Sequence, residues 1–185
     1  MIKKSISSFI LYDLMGWKPS GKVPEDVKKV VVITAPHTSM MDFIIGFLFF
    51  NSQNRKAYFA IRKEFFFFPL GFLLKAMGAI PVSRGKTALI DKMVEEFNKR
   101  DSMILNITPE GTRKLTKNWK KGFHYIATKA QVPVALGFFD YKNKICGIMD
   151  PPLFPLSDNA AEDLVKIKKM YDFTSARHPE KFTNK

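Results

Sequence analysis

His37 and Asp42, five positions apart, are residues whose types and spacing could do chemistry. His37 follows a β-branched run at residues 30–34 that predicts a buried strand, and the pattern up to about residue 50 predicts a helix. If Asp42 lies in the first turn of that helix, its carboxylate can reach the imidazole and fix its tautomer. The other ring nitrogen could then act as a general base on a hydroxyl. Alternatively, His37 is structural and Asp42 interacts with free N–H groups at the helix start.

A second group of candidate residues is the loop Pro109-Glu110-Gly111-Thr112-Arg113, which directly follows a predicted strand. Gly111 would let the backbone approach a ligand closely, Thr112 offers a hydroxyl, and Arg113 can bind phosphate oxygens with two donors. We expect Glu110 to orient Arg113 or the loop. The same residues could instead form a capped loop with a solvated arginine.

Two further cations could reach the same site. Arg84 follows a third predicted strand at residues 79–82, and Lys120 lies in the basic stretch after Arg113. Both could equally be solvated. The basic stretch could also bind nucleic acid, but Trp119 is its one aromatic residue, whereas platforms for single strands use several. We therefore expect no nucleic-acid partner.

Other chemistries lack their signatures. The sequence has no Gly-x-Ser-x-Gly elbow and no metal-ligand spacing, and Gly85-Lys86-Thr87 lacks the earlier glycine of a phosphate-binding loop, because residue 80 is Ile80. Cys146 is the one cysteine and lies in an apolar stretch, which indicates a buried structural thiol. We expect His124 to be structural and His178 to be solvated.

Strands that alternate with helices predict an α/β domain with a mixed, mostly parallel sheet flanked by helices. Ligands bind at the carboxyl ends of the strands in such sheets, where His37, Arg84 and Glu110 to Arg113 should meet. The 185 residues contain no linker or repeat, so one domain is expected, with its motif-bearing core at about residues 30–150. The predicted strands are 30–34, 57–61, 79–82, 103–107, 132–139 and 144–149, and the predicted helices include 65–77, 87–100, 122–130 and 159–171.

The chain has thirty Lys and Arg against seventeen Asp and Glu, a net charge of +13. This favours a polyanionic partner such as nucleic acid, an anionic membrane or phosphorylated substrates, or it merely keeps the protein soluble. Residues 1–24 predict an amphipathic helix and a loop, and the helix either packs on the domain or lies in a membrane interface. Eighteen phenylalanines, many between Phe43 and Phe72, belong to the core or to a surface that meets lipid. The apolar stripe of the helix consists of Ile2, Ile6, Phe9, Ile10, Leu14 and Trp17.

Six segments keep the order and spacing of the motifs of one family, and the chain resembles the glycerophospholipid acyltransferase family, whose best-known members are 1-acylglycerol-3-phosphate acyltransferases. The first motif, His-x4-Asp, is His37 to Asp42, and Pro-Glu-Gly-Thr-Arg is complete. The others are a basic segment at residues 61–65, Gly-x-Ile-x-x-x-Arg at 78–84, Lys-x-Gly at 120–122 and Val-Pro-hydrophobic at 132–134.

The resemblance implies direct acyl transfer without a covalent enzyme intermediate. His37, paired with Asp42, would activate a lysophospholipid hydroxyl, most readily that of 1-acylglycerol-3-phosphate, for attack on acyl-CoA or acyl carrier protein. The substrate-binding residues would be Arg84, Glu110, Gly111, Thr112, Arg113 and Lys120. The acyl donor is a substrate, so neither a cofactor nor a metal is expected. Acyl carrier protein is a possible partner. The net charge and the N-terminal stripe separately predict peripheral attachment to the cytoplasmic face of an anionic membrane.

Some positions depart from the family pattern. Ala135 and Leu136 continue the strand where relatives often have a proline, and Thr108 takes the place of an aromatic residue before Pro109. These changes leave His37 and Asp42 untouched but leave open another acceptor, such as an aminoacyl lipid or a polar alcohol. From a different class, a basic membrane- or nucleic-acid-binding module without catalysis would explain the charge but not the ordered motifs.

Overall fold

The structure is a computed structural model that describes residues 4–83, 85–172 and 174–184. Apart from the helix predicted at residues 65–77 and the N-terminal helix, its helices lie close to the predicted positions, as do its strands apart from a short additional one at the edge. The strands are β1 (Lys18–Ser20), β2 (Lys29–Ala35), β3 (Ala57–Arg62), β4 (Ala79–Val82), β5 (Met103–Ile107), β6 (Val134–Asp140) and β7 (Ile145–Ile148). The helices are α1 (Lys4–Ser8), α2 (Met41–Ser52), α3 (Leu70–Ala76), α4 (Lys86–Asn98), α5 (Gly122–Ala130) and α6 (Ala160–Met170).

The described strands form one seven-stranded sheet in the order β1-β7-β6-β2-β5-β3-β4. β2 is central and pairs in parallel with both β5 and β6, while β7 is antiparallel to β6 and carries β1 at the edge. Both β2 and β6 are buried along nearly their whole length, which fits apolar runs that must be covered on both faces. The predicted mixed, mostly parallel α/β sheet is confirmed.

The helices form two layers. On one face, Leu11 and the apolar side chains of α2 pack over the sheet, and on the other face α4, α5 and α6 contribute Met93, Phe123 and Ile167. The connections from β2 to β3 and from β3 to β4 advance in the same direction along the sheet. Because such crossovers are right-handed, α3 lies on the same face as α2. Met77, which directly follows α3, packs against that cluster.

Two predicted boundaries were wrong. The helix expected at residues 65–77 is confined to α3, after a 3-10 turn at Lys63–Phe65, because Pro69 lacks an N–H and disfavours helical backbone at the preceding residue. The loop expected at residues 16–24 contains β1, which pairs with β7 at the sheet edge. That pairing joins segments far apart in the chain, so local sequence gives little sign of it.

The N-terminal helix exists, but its predicted apolar stripe packs on the domain only in part. α1 continues as a π-helical turn at Phe9–Leu14, and the residues that face inward are Ser7 and Leu11. The wider π turn breaks the 3.6-residue spacing on which the prediction rested. Ile2 lies outside the described residues, Trp17 is buried as a core residue and Ile10 is partly buried against that core. The exposed members of the stripe are Ile6, Phe9 and Leu14. No helix in the described ranges has the length and apolar composition needed to cross a membrane.

Candidate active site

His37 and Asp42 meet at the carboxyl end of β2. His37 follows β2 by two residues and Asp42 lies in the first turn of α2, so that His37 Nδ1 and Asp42 Oδ2 are 3.2 Å apart. The Asp42 side chain is 2% exposed and that of His37 is 20% exposed. A carboxylate can only accept, so this contact holds the proton on Nδ1 and leaves Nε2 as the basic nitrogen.

Asp42 also organises the start of its own helix. Its Oδ2 accepts hydrogen bonds from the backbone N–H groups of Thr38 and Ser39 at 2.8 and 2.9 Å. Both local interpretations of this residue therefore hold, because one carboxylate orients the imidazole and satisfies free N–H groups. These bonds fix the carboxylate before any substrate is present.

Tyr141 is a site residue that sequence reasoning missed. Its hydroxyl donates to Asp42 Oδ1 at 2.5 Å. Tyr141 directly follows β6, which lies beside β2 in the sheet, so the carboxyl ends of the two strands bring it to Asp42. Burial, followed by the bond to the Asp42 carboxylate, raises the pKa of the Tyr141 hydroxyl, which keeps it a donor at working pH. The position of Tyr141 after a predicted strand was the one available signal.

The C-terminal segment forms hydrogen bonds with two of the residues that bind Asp42, Tyr141 and Thr38. Ser175 O accepts from Tyr141 N at 3.0 Å, Ser175 Oγ bonds to Asp140, and His178 N donates to Thr38 Oγ1 at 3.2 Å. The prediction that His178 is simply solvated was incomplete, because its backbone is attached to the site loop while its ring stays partly exposed. The tail thus supports both Thr38 and Tyr141.

Glu110 lies beneath the site rather than in its mouth. It is 2% exposed, and its Oε1 accepts from the backbone N–H of His37 at 2.9 Å. Burial raises the pKa of Glu110 to about 8, against the lowering effect of the His37 N–H, and the charge of Asp42 raises it further. We expected Glu110 to orient Arg113 or its own loop. The observed bond instead ties that loop to the backbone of His37.

The glycine and the lysine of the predicted substrate site lie against each other. Gly111 has φ +62°, in the left-handed region, and a Cβ added to it would lie 2.8 Å from Lys120 Nζ. Lys120 N also donates to Pro109 O at 2.7 Å. The absence of a side chain at Gly111 therefore lets the Lys120 side chain lie across the loop at this glycine.

Of the other three residues predicted to bind substrate, the structure describes two. Arg113 is exposed at the surface of the loop. Thr112 is half-buried, and its Oγ1 accepts from Lys114 N at 3.2 Å, so the hydroxyl stabilises the turn. Arg84 lies outside the described residues.

Two residues expected to be structural have that role. His124 Nε2 lies 2.9 Å from Ser157 O and 3.2 Å from Oδ2 of Asp163, a residue in the first turn of α6. Cys146 is buried in β7, where burial raises the pKa of its thiol to about 12. Within the described part of the chain, no group of three or more His, Cys, Asp or Glu side chains could hold a metal ion.

A family sequence model matches most of the residues of this site. The sequence model of the family described as Acyltransferase matches residues 19–135, which include His37, Asp42 and Glu110 to Arg113 but neither Tyr141 nor the C-terminal segment. No curated protein sequence matches the chain. The fold is similar to the crystal structure of the 1-acyl-sn-glycerophosphate (LPA) acyltransferase PlsC from Thermotoga maritima. The TM-score is 0.58 at 17% identity, and the alignment covers 94% of this chain and 81% of that chain.

Proposed function

The chain belongs to the acyltransferase family, and from that premise we propose that it transfers a fatty acyl group to the hydroxyl of a lysophospholipid. The predicted enzyme class, an acyltransferase, is confirmed by the family match. The proposed acceptor is 1-acylglycerol-3-phosphate and the proposed donor is acyl-CoA or acyl carrier protein. The observation that carries the proposal is the contact of His37 Nδ1 with the buried Asp42 carboxylate.

In the proposed reaction, His37 Nε2 takes the proton of the acceptor hydroxyl as its oxygen attacks the thioester carbonyl carbon. The tetrahedral intermediate collapses, the C–S bond breaks, and the leaving thiolate takes the proton back from the imidazolium. The products are the ester and a free carrier thiol, and no covalent enzyme intermediate forms. Asp42 stabilises the imidazolium and holds the ring in place.

The loop after β5 would bind the polar head of the acceptor. Arg113 is exposed and free to swing towards a phosphate, and Lys120 places a second cation against Gly111. Arginine binds phosphate oxygens with two parallel donors, whereas lysine acts as a point charge. Arg84 and Thr112 complete the proposed ligand set. Glu110 acts from below by holding the His37 backbone.

The proposed location is the cytoplasmic face of an anionic membrane, reached by peripheral attachment. The net charge of +13 supports it, because each Lys or Arg near an anionic leaflet contributes roughly 1 kcal/mol. Residues 1–24 would lie at the membrane interface, and the core at about residues 30–150 would carry the site.

The test is thioester consumption with a panel of lysophospholipid, aminoacyl-lipid and polar-alcohol acceptors. His37→Ala should lower kcat by roughly 10²- to 10⁴-fold, the usual contribution of a general base. His178→Ala is the matched control, because its ring faces Glu180 rather than Asp42, and it should retain activity. Full activity of His37→Ala would exclude the general-base assignment. An unchanged KM for lysophosphatidate in Arg113→Ala would exclude Arg113 as its phosphate ligand.

A further inference from the structure

The exposed apolar side chains gather on one layer of the protein. Among the described residues, nine large ones lie on α1 to α3 or in the segments next to these helices, whereas two lie on α5 and α6 and one lies in the loop after β5. The nine are Ile6, Phe9, Leu14, Met40, Phe65, Phe67, Phe68, Phe72 and Leu73, and the three are Leu115, Tyr125 and Val165. The phenylalanines from Phe43 to Phe50 are largely core, so the exposed ones belong to a separate segment.

That segment, residues 63–73, which we call the phenylalanine loop, begins at the catalytic edge of the sheet. β2 and β3 are both parallel to β5, so Arg62 at the end of β3 and His37 after β2 lie at the same edge. Met40, which directly precedes α2, is exposed at that edge as well. The apolar surface therefore adjoins the entrance to the proposed site.

The exposure is greatest at the tip of the loop. Phe68 is 92% exposed and Phe72 is 79% exposed. A phenylalanine ring has no polar atom to bond with water, and contiguous exposed apolar surface of this kind marks a binding surface. Pro69, beside Phe68, shortens α3 and keeps the tip outside a packed helix.

The charges beside the loop identify its partner as lipid. Arg62, Lys63 and Lys75 are exposed around the apolar tip, against one carboxylate, Glu64, in the same stretch. An apolar tip flanked by cations matches the chemistry of an anionic bilayer, which offers hydrocarbon beneath a layer of phosphate groups. This charge complementarity favours a bilayer over a second copy of this chain, whose corresponding surface is equally basic.

We propose that the phenylalanine loop inserts into an anionic bilayer and turns the catalytic edge of the sheet towards the membrane. The lysophospholipid then passes from the bilayer to His37 without crossing water. The docking surface extends the membrane attachment proposed above and stands without the chemistry, whereas the delivery of the acceptor rests on the proposed function.

The single buried cysteine allows a direct test. Cys146 is 1% exposed, so a thiol-reactive, environment-sensitive fluorophore will label an introduced cysteine selectively. Phe68→Cys places the label at the tip, and Val165→Cys places it on α6, at a residue that is 56% exposed on the opposite layer. With vesicles of phosphatidylglycerol and phosphatidylcholine, the emission of the label at position 68 should shift to the blue, and that at position 165 should not.

Flotation with the same vesicles measures the affinity of the protein for the bilayer. Phe68→Ser and Phe72→Ser should each lower the partition coefficient by about tenfold, given the apolar area of a phenylalanine ring, while Val165→Ser on α6 should leave it unchanged. The inference is overturned if the protein does not float, or if it floats with an unshifted label at position 68. If the emission of the label at position 68 shifts to the blue when the protein concentration is raised without vesicles, the loop mediates self-association. That result would also overturn the inference.

Activity assays separate the docking surface from the chemistry. Phe68→Ser should slow acylation of an acceptor presented in vesicles but not of a short-chain, monomeric acceptor. Equal losses with both acceptors would contradict delivery from the membrane. Wild-type inactivity on every acceptor, together with the label shift, would refute the proposed function and leave the docking surface standing.

Discussion

Replacing Tyr141 with phenylalanine removes one hydroxyl from the Asp42 network while keeping the ring. Tyr141 donates to Oδ1, whereas His37 Nδ1 and the Thr38 and Ser39 N–H groups all contact Oδ2. The variant therefore leaves the carboxylate attached at one oxygen and free to rotate about that attachment. We expect kcat to fall because the imidazole loses its fixed orientation.

The magnitude follows from the kind of bond that is lost. A hydrogen bond to a charged group contributes about 1.5–3 kcal/mol, and each 1.4 kcal/mol corresponds to a factor of ten in rate. Because the bonds to Oδ2 remain, the loss should be near the lower limit, about tenfold in kcat. KM should not change, because the Tyr141 hydroxyl is directed at Asp42 and not at the substrate site. The free energy of unfolding should fall by about 1–3 kcal/mol.

Steady-state kinetics and urea denaturation of the same samples measure both effects. Tyr12→Phe is the matched control, since its half-buried hydroxyl bonds to Ser52 Oγ at 2.6 Å, far along α2 from Asp42. That variant should lose stability but retain kcat. The reasoning is refuted if Tyr141→Phe keeps the kcat of the wild type, or if Tyr12→Phe loses as much, since kcat would then follow global stability.

Three further predictions concern the loop and the core. Burial raises the pKa of Glu110 to about 8, so the folded state holds the proton more tightly, and the free energy of unfolding should fall as pH rises from about 4.5 to about 8. Urea titrations should find that fall reduced in Glu110→Gln, and equal slopes would contradict the burial argument. Gly111→Ala should cost about 1 kcal/mol of stability by the same method, because its φ is +62°, and should displace Lys120, raising KM. Cys146 should react with a thiol reagent only when urea unfolds the protein, and fast labelling of the native state would refute its burial.

The phenylalanines are a case that composition could not resolve. The sequence predicted that those between Phe43 and Phe72 belong to the core or to a lipid-facing surface. The structure divides them between the core and the exposed surface, because α2 covers the centre of the sheet and buries Phe47, Phe49 and Phe50, whereas Pro69 interrupts the later run and leaves Phe68 exposed. An apolar side chain is buried only where another element packs on it, and local sequence does not specify that element.

The N-terminal stripe was the clearest failure of periodicity. A 3.6-residue repeat correctly predicted a helix, but the π-helical turn shifted the buried face to Ser7 and Leu11. Packing against α2 and the bond between Tyr12 and Ser52 accompany that turn. The helix type therefore depended on the surface beneath it.

The sequence alone determined the elements and the local core of the site. His37 and Asp42 are five residues apart at the junction of a strand and a helix, so neighbouring backbone brings them together whatever the rest of the fold does. Tertiary structure decided what surrounds them. Glu110 reaches His37 across 73 positions, Tyr141 reaches Asp42 across 99, and His178 reaches Thr38 across 140. Those contacts depend on the order of strands in the sheet and on where the tail docks, and both are set by packing of the whole chain rather than by local sequence.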